Sequence, residues 1–159
     1  MLDKLLNRSA AYEVDLGDVK KQLDANLLPN GESIDYQQRD AMHYHIYDLE
    51  AWNEIALVTG CCVDRIDRAF AFFDNTLKND PGHVEFAKTT APIDQRRAAA
   101  GFDYAQAKNF DVHEAARAIF SYATLPGRKV NDDLWRAALE GKARKNLFYL
   151  ARFYLWSAN

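Results

Sequence analysis

Apolar positions recur along this chain mostly at helical spacing. In "LGDVKKQLDANLL" (residues 16–28) Val19, Leu23 and Leu27 share one stripe, and "PNGES" then ends the helix. A second, longer helix is predicted from Tyr36 to Thr59. Met42, Leu49 and Ala56 repeat there every seven residues, flanked by His45, Ile46 and Trp52, and Gly60 is the stop signal. "VDRIDRAFAFFDNTLKND" predicts a third helix with Asp64 as cap and Ile66, Phe70, Phe73 and Leu77 on its apolar face.

Residues 81–112 break the pattern. Two prolines, two glycines and weak periodicity predict a long ordered loop, with "IDQRRAAAGF" as a short helix inside it. Helical spacing resumes in "DVHEAARAIFSYATL", where Asp111 and Glu114 stand at capping-box spacing. A last helix or helix pair is expected over 131–157, capped by Asn131 or Asp132, with Leu147, Leu150, Ala151 and Tyr154 inward. Strand signals are scarce. The expected fold is all-α, one domain of antiparallel helical hairpins.

Composition narrows the function classes. The chain has 159 residues and 13% aromatics, enough for a sizeable core. A net charge of -3 excludes a global basic field and argues against nucleic-acid binding. No run reaches the roughly 20 apolar residues of a membrane span, and the N-terminus does not read as a signal peptide. Cys61 and Cys62 are adjacent, so the small ring that would join them leads us to expect free thiols. His83 and His113 lack partners at metal-ligand spacing, so neither metal nor cofactor is expected.

The chemistry concentrates in "QQRDAMHYHIYDLEAW" (residues 37–52), which places Arg39, His43, Tyr44, His45, Tyr47 and Asp48 on about three turns. Such a cluster either closes a polar network or faces something anionic. His43 and His45 lie about 200° apart around a helix, so both cannot point into one site. His45 falls beside Met42, Leu49 and Trp52 and reads as a buried histidine with a hydrogen-bonded ring. Tyr47 and Asp48 are placed to support His43 and Tyr44 from one turn away. Lys88, Arg96 and Arg97 read either as a solvated charge cluster or as contacts for a polyanion. Phe70, Phe72, Phe73, Phe148, Phe153 and Trp156 read as core or interface.

"RDAMHYHIYDLEAW" resembles the central motif of the alginate lyase family, uronate-polysaccharide lyases built as an (α/α) toroid. "HVEFAKTTAPIDQRRAAAGF" (83–102) is similar to the family's following loop, with its acidic-Phe start and Asp-x-x-Arg step. "DDLWRAALEGKARKNLFYLARFYLW" is similar to its closing helices. The resemblance covers most of the chain from about residue 24. It implies a partial toroid, the C-terminal half of the catalytic domain, and a location in the periplasm or outside the cell. Tyr44 then matches the tyrosine that acts as general base and acid, with His43 beside it. Arg39 and His45, joined by Lys88, Arg96 and Arg97, become the substrate-binding candidates.

The implied reaction is β-elimination on a 4-linked uronate. The carboxylate must be neutralised, the C5 proton removed and the departing O4 protonated. A phenol ordinarily ionises near pH 10, and adjacent cations make the phenolate more accessible. In the family an earlier Asn-Asn-His-type segment neutralises the carboxylate; this sequence has none. The implied partner is alginate or a related anionic polysaccharide, with a second copy or another chain completing the site. The alternatives are a non-catalytic helical module for an anionic oligosaccharide or a protein partner, and a folded remnant without ligand.

Overall fold

Helix α1 (Ser9–Asn26) offers one narrow apolar stripe. Leu23 is fully buried, while Val19 and Leu27 pack against the core from its edge. The turn after it is tied by Gly31 N–H to Leu28 O (2.9 Å) and Leu28 N–H to Glu32 O (2.8 Å). Gly31 has φ +91° and lies against the Arg68 carbonyl, where a Cβ would collide. Only glycine meets both demands. These details come from a computed structural model that describes residues 9–102 and 107–140.

Helix α2 (Ile34–Arg39) starts at Ser33, whose hydroxyl accepts from Tyr36 N–H at 3.2 Å. Helix α3 (Met42–Thr59) follows at once. The single helix expected over Tyr36–Thr59 is therefore two. Asp40 sits between them at φ 51°, in the left-handed region. Its carbonyl accepts from Phe86 N–H (2.7 Å) and its carboxylate from Lys88 N–H (2.6 Å). Tertiary hydrogen bonds thus override a continuous helical pattern.

Helix α4 (Val63–Asn79) is preceded by Cys62 at φ 64°; Asp64 lies in the first turn and is not the cap. Cys61 and Cys62 are joined as a disulfide, which corrects the free-thiol expectation. The short connection from Gly60, with left-handed residues at Gly60 and Cys62, fixes both side chains in one turn.

The 81–112 segment is more ordered than its composition predicts. Strands β1 (Val84–Glu85) and β2 (Lys108–Asn109) pair antiparallel, Val84 opposite Asn109 and Glu85 opposite Lys108. Between them lies α5 (Pro92–Ala99), the expected short helix, with Pro92 in its first turn. A 3₁₀ turn (Val112–Ala115) leads into α6 (Ala116–Ala123); the Asp111 carboxylate accepts from His113 N–H at 3.0 Å. Helix α7 (Asp132–Glu140) is capped by Asn131, whose side-chain oxygen accepts from Leu134 N–H at 2.9 Å. The stripe at Leu147, Leu150, Ala151 and Tyr154, with Phe148, Phe153 and Trp156, lies outside the described residues.

Among the described residues the chain is all-α apart from that one strand pair. Helix α3 is the centre: α4 and α6 pack on it, and α7 packs on α6. The predicted α3 stripe (Met42, His45, Ile46, Leu49, Trp52, Ala56) is buried throughout, as are Ile66, Phe70 and Phe73 of α4. Phe120 and Ile119 of α6 complete the core. Each large apolar side chain buried here contributes roughly 1.5–3 kcal/mol. Two polar groups fix the packing register. The Asn53 amide donates to Ala118 O (3.0 Å) and Ser121 Oγ (2.9 Å), and the His45 ring donates to Ala69 O (3.0 Å). No helix among the described residues is long and apolar enough to cross a membrane.

Candidate functional site

The break at Asp40 turns the start of α3 toward the 83–94 segment, and two buried carboxylates meet it there. Arg39 Nε and Nη2 donate to Asp94 Oδ2 (2.8 Å) and Oδ1 (2.6 Å). Asp94 is 0% exposed. This two-pronged pair raises the Arg39 pKa above its usual value, the hydrogen bonds outweighing burial. Held in this way, the guanidinium carbon lies 3.7 Å above the centre of the Tyr44 ring.

His43 is gripped in the same manner. Its backbone N–H donates to Glu85 Oε1 at 2.7 Å, and ring Nδ1 lies 3.0 and 2.9 Å from the two Glu85 oxygens. Burial alone would push the Glu85 carboxyl up, but the His43 ring and backbone bonds prevail and hold it below the ordinary range. The His43 and Tyr44 rings are 4.1 Å apart. Phe86 meets both, at 5.3 and 6.2 Å, and Tyr47 closes the cluster from the solvent side. Tyr44 is half-buried between the Arg39 and His43 side chains.

The other sequence-derived candidates are dispersed. His45 points the opposite way into the core, fully buried, and burial depresses its imidazole to about 4. It is a neutral structural histidine, which removes it from the substrate-binding candidates. Lys88 is exposed, and its backbone N–H donates to the Asp40 carboxylate. Arg96 and Arg97 follow Asp94 on α5; Arg96 faces solvent and Arg97 is half-exposed. Tyr47 meets His43 and Tyr44 through ring edges. Asp48 is pushed up to about 6 by burial and by Asp35, against a Ser33 hydrogen bond that lowers it.

No family model, curated protein or solved structure matches this chain. The geometry therefore carries the functional argument by itself. Sequence reasoning found the basic and aromatic members of the cluster but missed Glu85, Asp94 and Asp40, the anions that organise it. A signal was available for Glu85 alone, a carboxylate in a weakly periodic segment between apolar Val84 and Phe86.

The arrangement does two things chemically. It fixes a phenol ring under a guanidinium and beside an imidazole, at 3.7 Å and 4.1 Å. It also pairs the Arg39 guanidinium with the buried Asp94 and the His43 ring with the buried Glu85 before any ligand arrives. An incoming anion thus meets no unpaired guanidinium at Arg39. Among the described residues no cluster of His, Cys, Asp and Glu is arranged to hold a metal ion.

Proposed function

We propose that the chain is a uronate-polysaccharide lyase-like helical domain, the C-terminal half of an (α/α) toroid, whose proton-transfer residue is Tyr44. The observation that carries this reading is the Arg39 guanidinium 3.7 Å over the Tyr44 ring, with the His43 ring 4.1 Å away. Tyr44 as phenolate takes the C5 proton of a 4-linked uronate. The C5 electron pair forms the C4–C5 double bond as the C4–O4 bond breaks, and the phenol returns its proton to O4. His43 and Arg39 stabilise the phenolate and Glu85 and Asp94 hold them in place.

Neutralising the substrate carboxylate is a separate task, because Arg39 and His43 are already paired. That task falls to groups outside the Arg39–His43 cluster, such as those of another chain or a second copy. Without them the transition state loses several kcal/mol, a rate loss of about a hundredfold or more.

The same pairing weighs against catalysis and leaves a second reading, a non-catalytic helical module whose anionic oligosaccharide or protein partner is held by groups outside the Arg39–His43 cluster. One assay decides. The protein is incubated with polymannuronate, polyguluronate and glucuronan while the absorbance of the unsaturated uronate is followed. Signal growth that Tyr44→Phe abolishes is the expected result for the lyase. Saturable binding by calorimetry without that signal moves the assignment to the module, and neither result leaves a scaffold without ligand.

A further inference from the structure

The two cysteines of this chain, Cys61 and Cys62, are bonded to each other in the turn from α3 to α4. A disulfide stabilises chiefly by closing a loop of the unfolded chain. Neighbouring residues enclose almost no loop, so this bond adds little as a staple. What it offers is chemistry. Both cysteines are half-buried and the flanking Gly60 and Asp64 are exposed, so a solute can approach the turn.

The two residues sit in unequal surroundings. Cys62 immediately precedes the first turn of α4, a helix of 17 residues, and no side chain caps that turn. Negative charge that forms on the Cys62 sulfur is therefore stabilised by the positive end of the helix. The ions nearby are already engaged: Arg65 pairs with Asp24 of α1, and Asp64 lies 3.5 Å from Arg68. Cys61 is one residue further from the helix, its N–H held by Thr59 Oγ1 at 3.1 Å. Of the two sulfurs, Cys62 is the better leaving group.

We propose that Cys61–Cys62 is a thiol–disulfide exchange site whose substrate is a dithiol. A thiolate of the dithiol attacks Cys61 Sγ; the Cys61–Cys62 bond breaks and its electron pair leaves on Cys62 Sγ. The second sulfur of the dithiol then attacks the mixed disulfide, which frees Cys61 and releases the substrate as its own disulfide. The dithiol loses two electrons and two protons, and the two cysteines gain them. The step also reaches the fold. Cys62 is held at φ 64°, in the left-handed region, while its carbonyl accepts from Arg65 N–H (3.1 Å) and Ile66 N–H (3.3 Å). Once the bond opens, Cys62 is free to take the extended conformation usual before a helix, and the first turn of α4 adjusts around it. The proposal does not depend on the lyase reading.

The test starts from protein treated with oxidised glutathione and then freed of it, its thiols counted by iodoacetamide labelling and mass. We expect no label and no glutathione adduct. Dithiothreitol should then open two labelling sites, Cys61 and Cys62, with the far-ultraviolet circular dichroism unchanged. The backbone amide signals of Val63, Asp64, Arg65 and Ile66 should shift on reduction, and those of α6 should stay. In single variants at pH 7, the thiol left in Cys61→Ser should alkylate faster than that in Cys62→Ser, by about threefold, extra thiolate outweighing its lower nucleophilicity. A lasting glutathione adduct, or two labels before dithiothreitol, overturns the proposal. Reduction that requires unfolding in urea overturns it equally, and a Cys62→Ser thiol that alkylates as fast or faster overturns Cys62 as the leaving sulfur.

Discussion

Helix α3 meets its neighbours in two contrasting ways. Through most of its length it packs by hydrocarbon, with Leu49, Trp52 and Ala56 in a shared core with Phe73, Ile119 and Phe120, and Asn53 as the pin to α6. At its N-terminal end it is held by Glu85 on His43, Asp94 on Arg39 and Asp40 on the 86–88 backbone. Hydrocarbon contacts are tolerant of small shifts and supply most of the stability. Buried charge pairs supply little net stability but fix geometry, because losing one partner strands the other. The contrast places rigidity of position beside Tyr44 and cohesion elsewhere.

Four substitutions or pairs break or sharpen that contrast. Phe73→Ala, at a fully buried position, should cost about 3–5 kcal/mol in urea unfolding without altering the Arg39–Tyr44 geometry. Asp94→Ala should cost about 3–5 kcal/mol because Arg39 is left half-enclosed without its anion. The double variant Arg39→Met with Asp94→Leu should recover most of that loss, while Tyr44 loses its cation. A double variant as unstable as the single one would show that the pair itself contributes cohesion. Gly31→Ala should cost roughly 2–4 kcal/mol, from left-handed strain and collision with the α4 backbone.

The smallest effects are pH slopes, and the two histidine and aspartate groups on α3 oppose each other. Burial holds the His45 imidazole at about 4, so between pH 6.5 and 4 the unfolded chain takes a proton that the folded chain refuses. Stability falls as pH drops through that window. Asp48, raised from 3.8 to about 6, is protonated first in the folded chain and adds stability as pH drops through that interval. His45→Gln should therefore flatten the acid-side loss, and Asp48→Asn should steepen it. Thermal melts from pH 7 to pH 4 that move both variants the same way would refute this assignment.

Much of the hydrocarbon half was legible in the sequence. The stripes through Leu23, Met42, Leu49, Ala56, Ile66 and Phe73 follow the helical period, and a period survives without knowledge of partners. His45 was legible as a core histidine for the same reason. The polar half was only partly so. Arg39, His43 and Tyr44 announce themselves by composition, but Glu85 and Asp94 lie more than 40 positions away, brought in by a segment with no period to read. The helix break at Asp40 was invisible because its cause is a set of hydrogen bonds made across that same gap. At Cys61 and Cys62 a general rule about neighbouring thiols gave way to one turn's local geometry.

Asp40 is also a joint with four attachments: its N–H to Tyr36 O, its carbonyl to Phe86, its carboxylate to Lys88, and the His83 ring 3.7 Å away. Tyr36 lines a groove with Asn75 and Asn79, and Phe86, whose N–H the Asp40 carbonyl holds, meets the Tyr44 ring at 6.2 Å. A tug on either side is felt at this left-handed residue, which shares the linkage with the Arg39–Asp94 pair and the Tyr36–His83 ring contact and so helps set how stiffly the two faces are geared together.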